Sequence, residues 1–127
     1  MKKLIIGLFS FLVLGLGYGF SQSVYVLYDA DLSQAKYANK IMREALISKG
    51  YKISENRTQY DFLLNLDVNA VNLDKESYRI IPDRKTITIN GGDANGLLYG
   101  CLSLREKINN GIKLHEIVYE EEKPEME

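Results

Sequence analysis

The sequence has no tryptophan, one cysteine and one histidine among its 127 residues. Each scarcity closes a class of chemistry. Cys101 alone cannot form a disulfide within the chain, so the fold rests on a packed core. No activating neighbour stands near Cys101 in sequence, and the residue falls on an apolar helix face, which marks it as a packed core thiol. The single histidine, His115, excludes a three-histidine zinc site. His115-Glu116 starts like a zinc-protease motif, but Tyr119 occupies the place of the second histidine. A serine triad would have to use His115, and no nucleophile elbow is present. A net positive charge is also lacking: 16 Lys and Arg against 17 Asp and Glu give a formal net charge of −1, which argues against nucleic acid as a partner.

Long apolar runs are confined to the N-terminus, MKKLIIGLFSFLVLGLGYGFSQS. Lys2 and Lys3 precede an uncharged stretch from Leu4 to Leu16, and Gly19 and Ser21 are the small residues of a cleavage site before Gln22. This is the layout of a secretory signal peptide over residues 1–21. The run is shorter than the ~20 residues of a spanning helix and is interrupted by glycines, so no stable membrane anchor is expected after cleavage. The expected location is periplasmic or extracellular. A lipid anchor would need a cysteine at the cleavage site, and Cys101 is far from it. Roughly a hundred residues remain, enough for one small domain and far short of the ~250 of a catalytic barrel.

Periodicity divides that remainder into alternating elements. SVYVLYD (23–29) is β-branched and aromatic and reads as a strand. Asp31 and Gln34 have capping-box spacing, and Ala38, Ile41, Met42, Ala45 and Leu46 form one helical face that Gly50 terminates. Residues 60–68 alternate as a strand, with Tyr60, Phe62, Leu64, Leu66 and Val68 on the buried side. SYRIIP (77–82) and KTITIN (85–90) predict a hairpin turning at Pro82, Asp83 and Arg84. A second helix is predicted from Asp93 to Ile108, with Leu97, Leu98, Cys101, Leu102 and Ile108 as its core stripe. IKLHEIVY is a candidate last strand, and EEEKPEME (120–127) reads as an acidic solvated tail or linker. The expected fold class is α+β: a two-layer β-α-β-β-β-α sandwich with two helices on one face of a mainly antiparallel sheet.

GGDANG (91–96) has the glycine spacing of a phosphate loop, but Leu97 and Leu98 stand where its lysine and hydroxyl belong. Gly91 and Gly92 are therefore assigned to a turn and Asp93 to a helix cap. Asp93 and Asn95 are too few for a calcium loop. The five glutamates of the tail cannot hold a glycosidase pair at fixed separation without a core face to anchor them. Asn56-Arg57-Thr58 matches a glycosylation acceptor, which in a bacterium would usually be silent. Tyr25, Tyr37, Tyr51, Tyr60, Tyr78, Tyr99 and Tyr119 could stack on sugars, although core or interface packing is the commoner use of such residues. No catalytic, cofactor-binding or metal-ligating residue emerges from these patterns.

The stretch ESYRIIPDRKTITINGGDANGLLYGCLSLREKI resembles the small N-terminal domain that precedes the catalytic barrel in several glycoside hydrolases. The nearest patterns are those of alpha-glucuronidases and of bacterial and chitobiase-type beta-N-acetylhexosaminidases. The residues that carry it are Glu76-Ser77-Tyr78, Ile87-Thr88-Ile89, Gly92-Asp93 and Gly96-Leu97-Leu98-Tyr99-Gly100. The resemblance covers about residues 23–119 and implies a non-catalytic accessory domain (22–119) of an exported carbohydrate-active enzyme. In such enzymes the catalytic carboxylates lie on the barrel, which is missing here and would be the partner, so no catalytic residue carries over. The competing expectation is a freestanding exported module that binds carbohydrate or another protein.

Overall fold

A computed structural model describes residues 21–69 and 73–123. The expected leader lies, apart from Ser21, outside the described residues, as do Pro124–Glu127. In chain order the elements are β1 (Ser23–Leu27), α1 (Ser33–Ser48), β2 (Lys52–Ile53), β3 (Phe62–Val68), β4 (Tyr78–Asp83), β5 (Thr86–Gly91), α2 (Ala94–Asn109), a 3-10 turn at Leu114–Glu116, and β6 (Glu120–Glu122).

The α+β two-layer sandwich is observed. Strands in the order β2-β1-β3-β5-β4-β6 form one sheet. Alternation along them turns Val24, Leu64, Leu66, Ile80, Ile87 and Ile89 inward, and α1 and α2 pack against each other over this side. Each fully buried side chain of this kind contributes about 1.5–3 kcal/mol relative to exposure. Among the described residues no helix covers the other face of the sheet, which the half-exposed residues between the buried ones reflect.

The sheet is mixed, which corrects the expectation of mainly antiparallel pairing. β1 pairs in parallel with β2 and β3, and β3 with β5. Only β4 runs antiparallel, against β5 and β6. The helices account for part of this: each carries the chain back to the end of the sheet where the preceding strand began, so β2 runs parallel to β1 and β6 parallel to β5, whereas the β1–β3 and β3–β5 pairs are set by connections without a helix. Thus β1-α1-β2 and β5-α2-β6 are both β-α-β units, the second stepping over β4.

Two other expectations change. Residues 114–116 form a 3-10 turn rather than a strand, and Glu120–Glu122 form β6 rather than a solvated tail. The hairpin turns at Arg84-Lys85, with Arg84 at φ 57°, while Pro82 and Asp83 belong to β4. Pro82 lies beyond the stretch of β4 that β6 covers, so its missing N–H costs no ladder bond on that side.

Candidate functional site

The glycine-rich stretch that opened as a possible ligand loop is a packing device. Neither Gly91 nor Gly92 has a positive φ, contrary to the turn expected there. What requires glycine is proximity: a Cβ on Gly92 would lie 2.0 Å from the Asp74 carbonyl oxygen, and one on Gly96 2.1 Å from that of Ser77. On Gly100 it would meet Ile89 at 2.6 Å. The start of α2 thus lies nearly backbone to backbone against residues 74–77. Asp93 Oδ1 accepts from the Gly96 N–H at 2.8 Å, as a helix cap should, and also from the Glu76 N–H at 3.0 Å. That second bond holds Glu76 at φ 64° and ties the preceding loop to the helix.

Cys101 is fully buried within the core, and burial pushes its thiol well above the ordinary range. A thiolate nucleophile is unavailable under such conditions. Among the described residues, no group of three or more His, Cys, Asp or Glu is placed to hold a metal ion, and no helix is long and apolar enough to cross a membrane. Asn56 is exposed and forms an Asx-turn, its Oδ1 accepting from the Thr58 N–H at 3.0 Å and hydroxyl at 2.7 Å.

A polar centre appears where none was expected. β6 alternates like any strand, so Glu120, paired with Ile80, faces α2, while Glu121, paired with Arg79, faces the open side. Glu120 Oε2 accepts from the Tyr78 hydroxyl at 2.5 Å and from Ser103 Oγ at 2.7 Å; Oε1 pairs with Lys107 Nζ, which also donates to Ser103 Oγ at 3.0 Å. Burial opposes ionisation of Glu120, but the bonds from Lys107, Tyr78 and Ser103 outweigh it and hold the carboxyl below its usual range. Tyr78 moves the other way: burial, then its bond to the Glu120 carboxylate, pushes the phenol up to about 12. On the open side the Arg79 guanidinium, donating from Nε at 3.2 Å, holds Glu121 below the ordinary carboxylate range. The centre clasps strand and helix together. The only local cue was the i, i+4 spacing of Ser103 and Lys107; Tyr78 and Glu120 are 42 residues apart.

His115 lies at the opposite kind of place, in an open hollow of about 410 Å³ where both helices end. Lys49, Gly50, Tyr51, Gly111 and Lys113 line it with His115. Gly50 and Gly111 have φ 91° and 92°, and each helix closes with paired bonds of the Schellman kind: Tyr51 N–H to Leu46 and Gly50 N–H to Ile47, then Ile112 N–H to Lys107 and Gly111 N–H to Ile108. Tyr51 accepts from the Leu114 N–H at 3.1 Å, and the Glu116 carboxylate from that of Lys113 at 2.9 Å. The lysines complement two negative helix ends.

The tyrosines separate by environment. Tyr78 is core, and Tyr51 is half-buried at the hollow. Tyr37, Tyr99 and Tyr119 are exposed. Tyr60 lies just before β3, outside its alternation, and so is not on the buried side as expected. Instead it stacks on Tyr25, with ring centroids 6.0 Å apart and 28° between planes.

The fold and these sites can be compared with known proteins. A GH138 enzyme targeting pectin rhamnogalacturonan II shares the fold at TM-score 0.68 and 22% identity, over 82% of this chain and 16% of that one. CpGH84D matches at TM-score 0.54 and 14% identity, over 68% and 18%. The beta-hexosaminidase of Streptomyces plicatus matches at TM-score 0.50 and 21% identity, over 68% and 17%. These likenesses concern the fold, and the chain spans less than a fifth of the length of each. No curated protein matches the sequence. The sequence profile described as Glycosyl hydrolase family 20, domain 2 matches residues 14–118, most of the chain, and the chain belongs to that family.

Proposed function

We propose that this domain is the non-catalytic accessory part of an exported glycoside hydrolase and works beside a catalytic domain that these residues do not contain. The observation that carries the reading is the family match over residues 14–118. The side chains support it. Glu120 has both carboxylate oxygens engaged, Cys101 is sealed in the core, and the glycine-rich segment packs against backbone. Of the two enzyme classes that the sequence resembles, the beta-hexosaminidase type is favoured, because an enzyme of that name is among the neighbours.

Residues 1–21 serve in this reading as a cleaved signal peptide, with the mature chain starting at Gln22 and residing in the periplasm or outside the cell. In this reading the domain takes in β6, an edge strand of the sheet, as well as residues 22–119. Two measurements test the proposal. The purified chain is expected to release no aryl group from aryl N-acetylglucosaminides; turnover with contaminating enzymes excluded overturns the non-catalytic role. Mass spectrometry of the chain recovered outside the cytoplasm is expected to show Gln22 at its N-terminus; an intact leader there overturns cleavage, and recovery of the chain only from the cytoplasm overturns export.

A further inference from the structure

Asn-Gly occurs three times in the sequence, as Asn90-Gly91, Asn95-Gly96 and Asn110-Gly111. Glycine has no Cβ to shield its backbone nitrogen, so an asparagine before it is open to attack on its side-chain amide by that nitrogen. Chain order gives the three pairs the same chemistry. The fold gives them three different surroundings.

Asn90 and Gly91 lie in β5, which has β3 on one side and β4 on the other. Gly91 is buried, and the space beside its Cα is filled: a Cβ there would lie 2.2 Å from the Leu97 nitrogen. Asn95 and Gly96 lie in the first turn of α2, where Gly96 is buried against the Ser77 carbonyl oxygen and its N–H is held by the Asp93 carboxylate at 2.8 Å. Asn110 and Gly111 differ from both pairs. Both residues are exposed, and a Cβ on Gly111 would meet nothing within 4 Å. Asn110 is the C-cap of α2, at φ −83° and ψ 4°, and the Gly111 N–H donates to the Ile108 oxygen at 3.0 Å, in the last turn. A helix end opens at much lower free energy than a central strand or a packed helix start.

We propose that Asn110-Gly111 is a site of spontaneous deamidation, the pair of the three that the folded chain leaves reactive. The Gly111 nitrogen loses its proton and attacks Asn110 Cγ. The bond from Cγ to the side-chain nitrogen breaks, ammonia leaves with a proton, and a five-membered succinimide remains. Water, the only co-reactant, then opens the ring at either carbonyl and leaves aspartate or isoaspartate in place of Asn110. Ring closure requires Asn110 to rotate about ψ and the Gly111 N–H to leave Ile108, which fraying of the last turn permits. The product alters the hollow at His115, whose wall includes Gly111, Ile112 and Lys113. A carboxylate now stands at the carbonyl end of α2, where negative charge is unfavourable. Isoaspartate also adds a backbone atom before Gly111, so the bonds from Gly111 to Ile108 and from Ile112 to Lys107 lose their spacing.

The inference does not rest on the accessory-domain reading. The test is to hold the full chain in mildly alkaline buffer, folded and in parallel in urea, and to locate each amide-to-acid conversion by peptide mass spectrometry with fragmentation. In the folded chain, conversion at Asn110 is expected to run about tenfold faster than at Asn90 or Asn95, a barrier difference of about 1.4 kcal/mol. In urea the three pairs are expected to react at similar rates. Hydrogen exchange at Gly111 and Ile112 is expected to quicken as the folded sample ages, and to stay constant in Asn110→Ser, which cannot form the ring. The proposal is overturned if Asn90 or Asn95 reacts as fast as Asn110 in the folded chain. It is equally overturned if Asn110 stays intact there while the urea sample converts, if urea leaves the ranking unchanged, or if Asn110→Ser ages in the same way.

Discussion

The two β-α-β units of this domain are built from the same parts and held by different forces. In the first, α1 starts at Leu32 with no side-chain cap, and β2 is only two residues long. Its attachment is the apolar stripe Ala35, Ala38, Ile41, Met42, Ala45 and Leu46. In the second, α2 starts on the Asp93 cap, approaches the sheet where only glycine fits, and delivers a strand locked by Glu120. One unit relies on non-directional burial, the other on close backbone contact and directed polar bonds. Their C-termini are alike, each with a glycine in the left-handed region. The lesson is that a helix end is decided locally, whereas a helix start and the following strand depend on what lies across the sheet.

Substitutions can break this contrast, beginning with the largest effect. Met42→Ala removes a fully buried side chain from the first unit and is expected to lower stability by about 3 kcal/mol in urea unfolding. Gly96→Ala attacks the second unit, where the new methyl meets the Ser77 carbonyl oxygen; a loss of about 2 kcal/mol is expected by the same measurement. Asp93→Ala should cost about 1 kcal/mol, whereas Asp31→Ala, at the capping-box position that forms no cap, should change the urea midpoint little. An equal loss for the two aspartates would erase the distinction between the helix starts.

Glu120→Gln tests the clasp and is expected to cost about 1 kcal/mol at neutral pH. Its sign with pH follows from the depressed carboxyl. A glutamate that ionises more readily in the folded chain than at its unfolded value of about 4.3 stabilises the fold above that pH, and the contribution is lost as pH falls through the lower folded value. The gap between parent and variant should therefore close on acidification. Hydrogen exchange at residues 120–122 should quicken in the variant while β5 stays protected; a gap independent of pH would remove the electrostatic account.

Much of the fold was legible in the residues. Val24, Leu64 and Ile87 alternate in strands, Ala38 to Leu46 recur at helical spacing, and Gly50, Asp93 and Cys101 stand in the roles their types favour. Where the reading failed, either a local motif lost to another local arrangement or the partners were distant in sequence. Asp31-Gln34 has capping-box spacing, but the N-cap is Leu32 and the helix begins at Ser33. Tyr60 continues an alternating pattern, yet precedes the strand and stacks on Tyr25 instead. Glu120 to Glu122 show no apolar face, because the partners that anchor the strand are the Tyr78 hydroxyl and Lys107. The clasp and the Tyr25–Tyr60 stack are both made by residues far apart in the chain.

Local physics acts between neighbours a few residues apart, so the sequence by itself determined β1, β3, β4, β5, both helices, most of the buried side of each and the glycines that end the helices, but not β2 or β6. Strand order, the parallel pairings, the inward turn of Glu120 and the meeting of Tyr25 with Tyr60 depend on which surfaces pack once both helices lie on one face. Only the tertiary structure decided them, because each is a contact between segments that the chain order does not bring together.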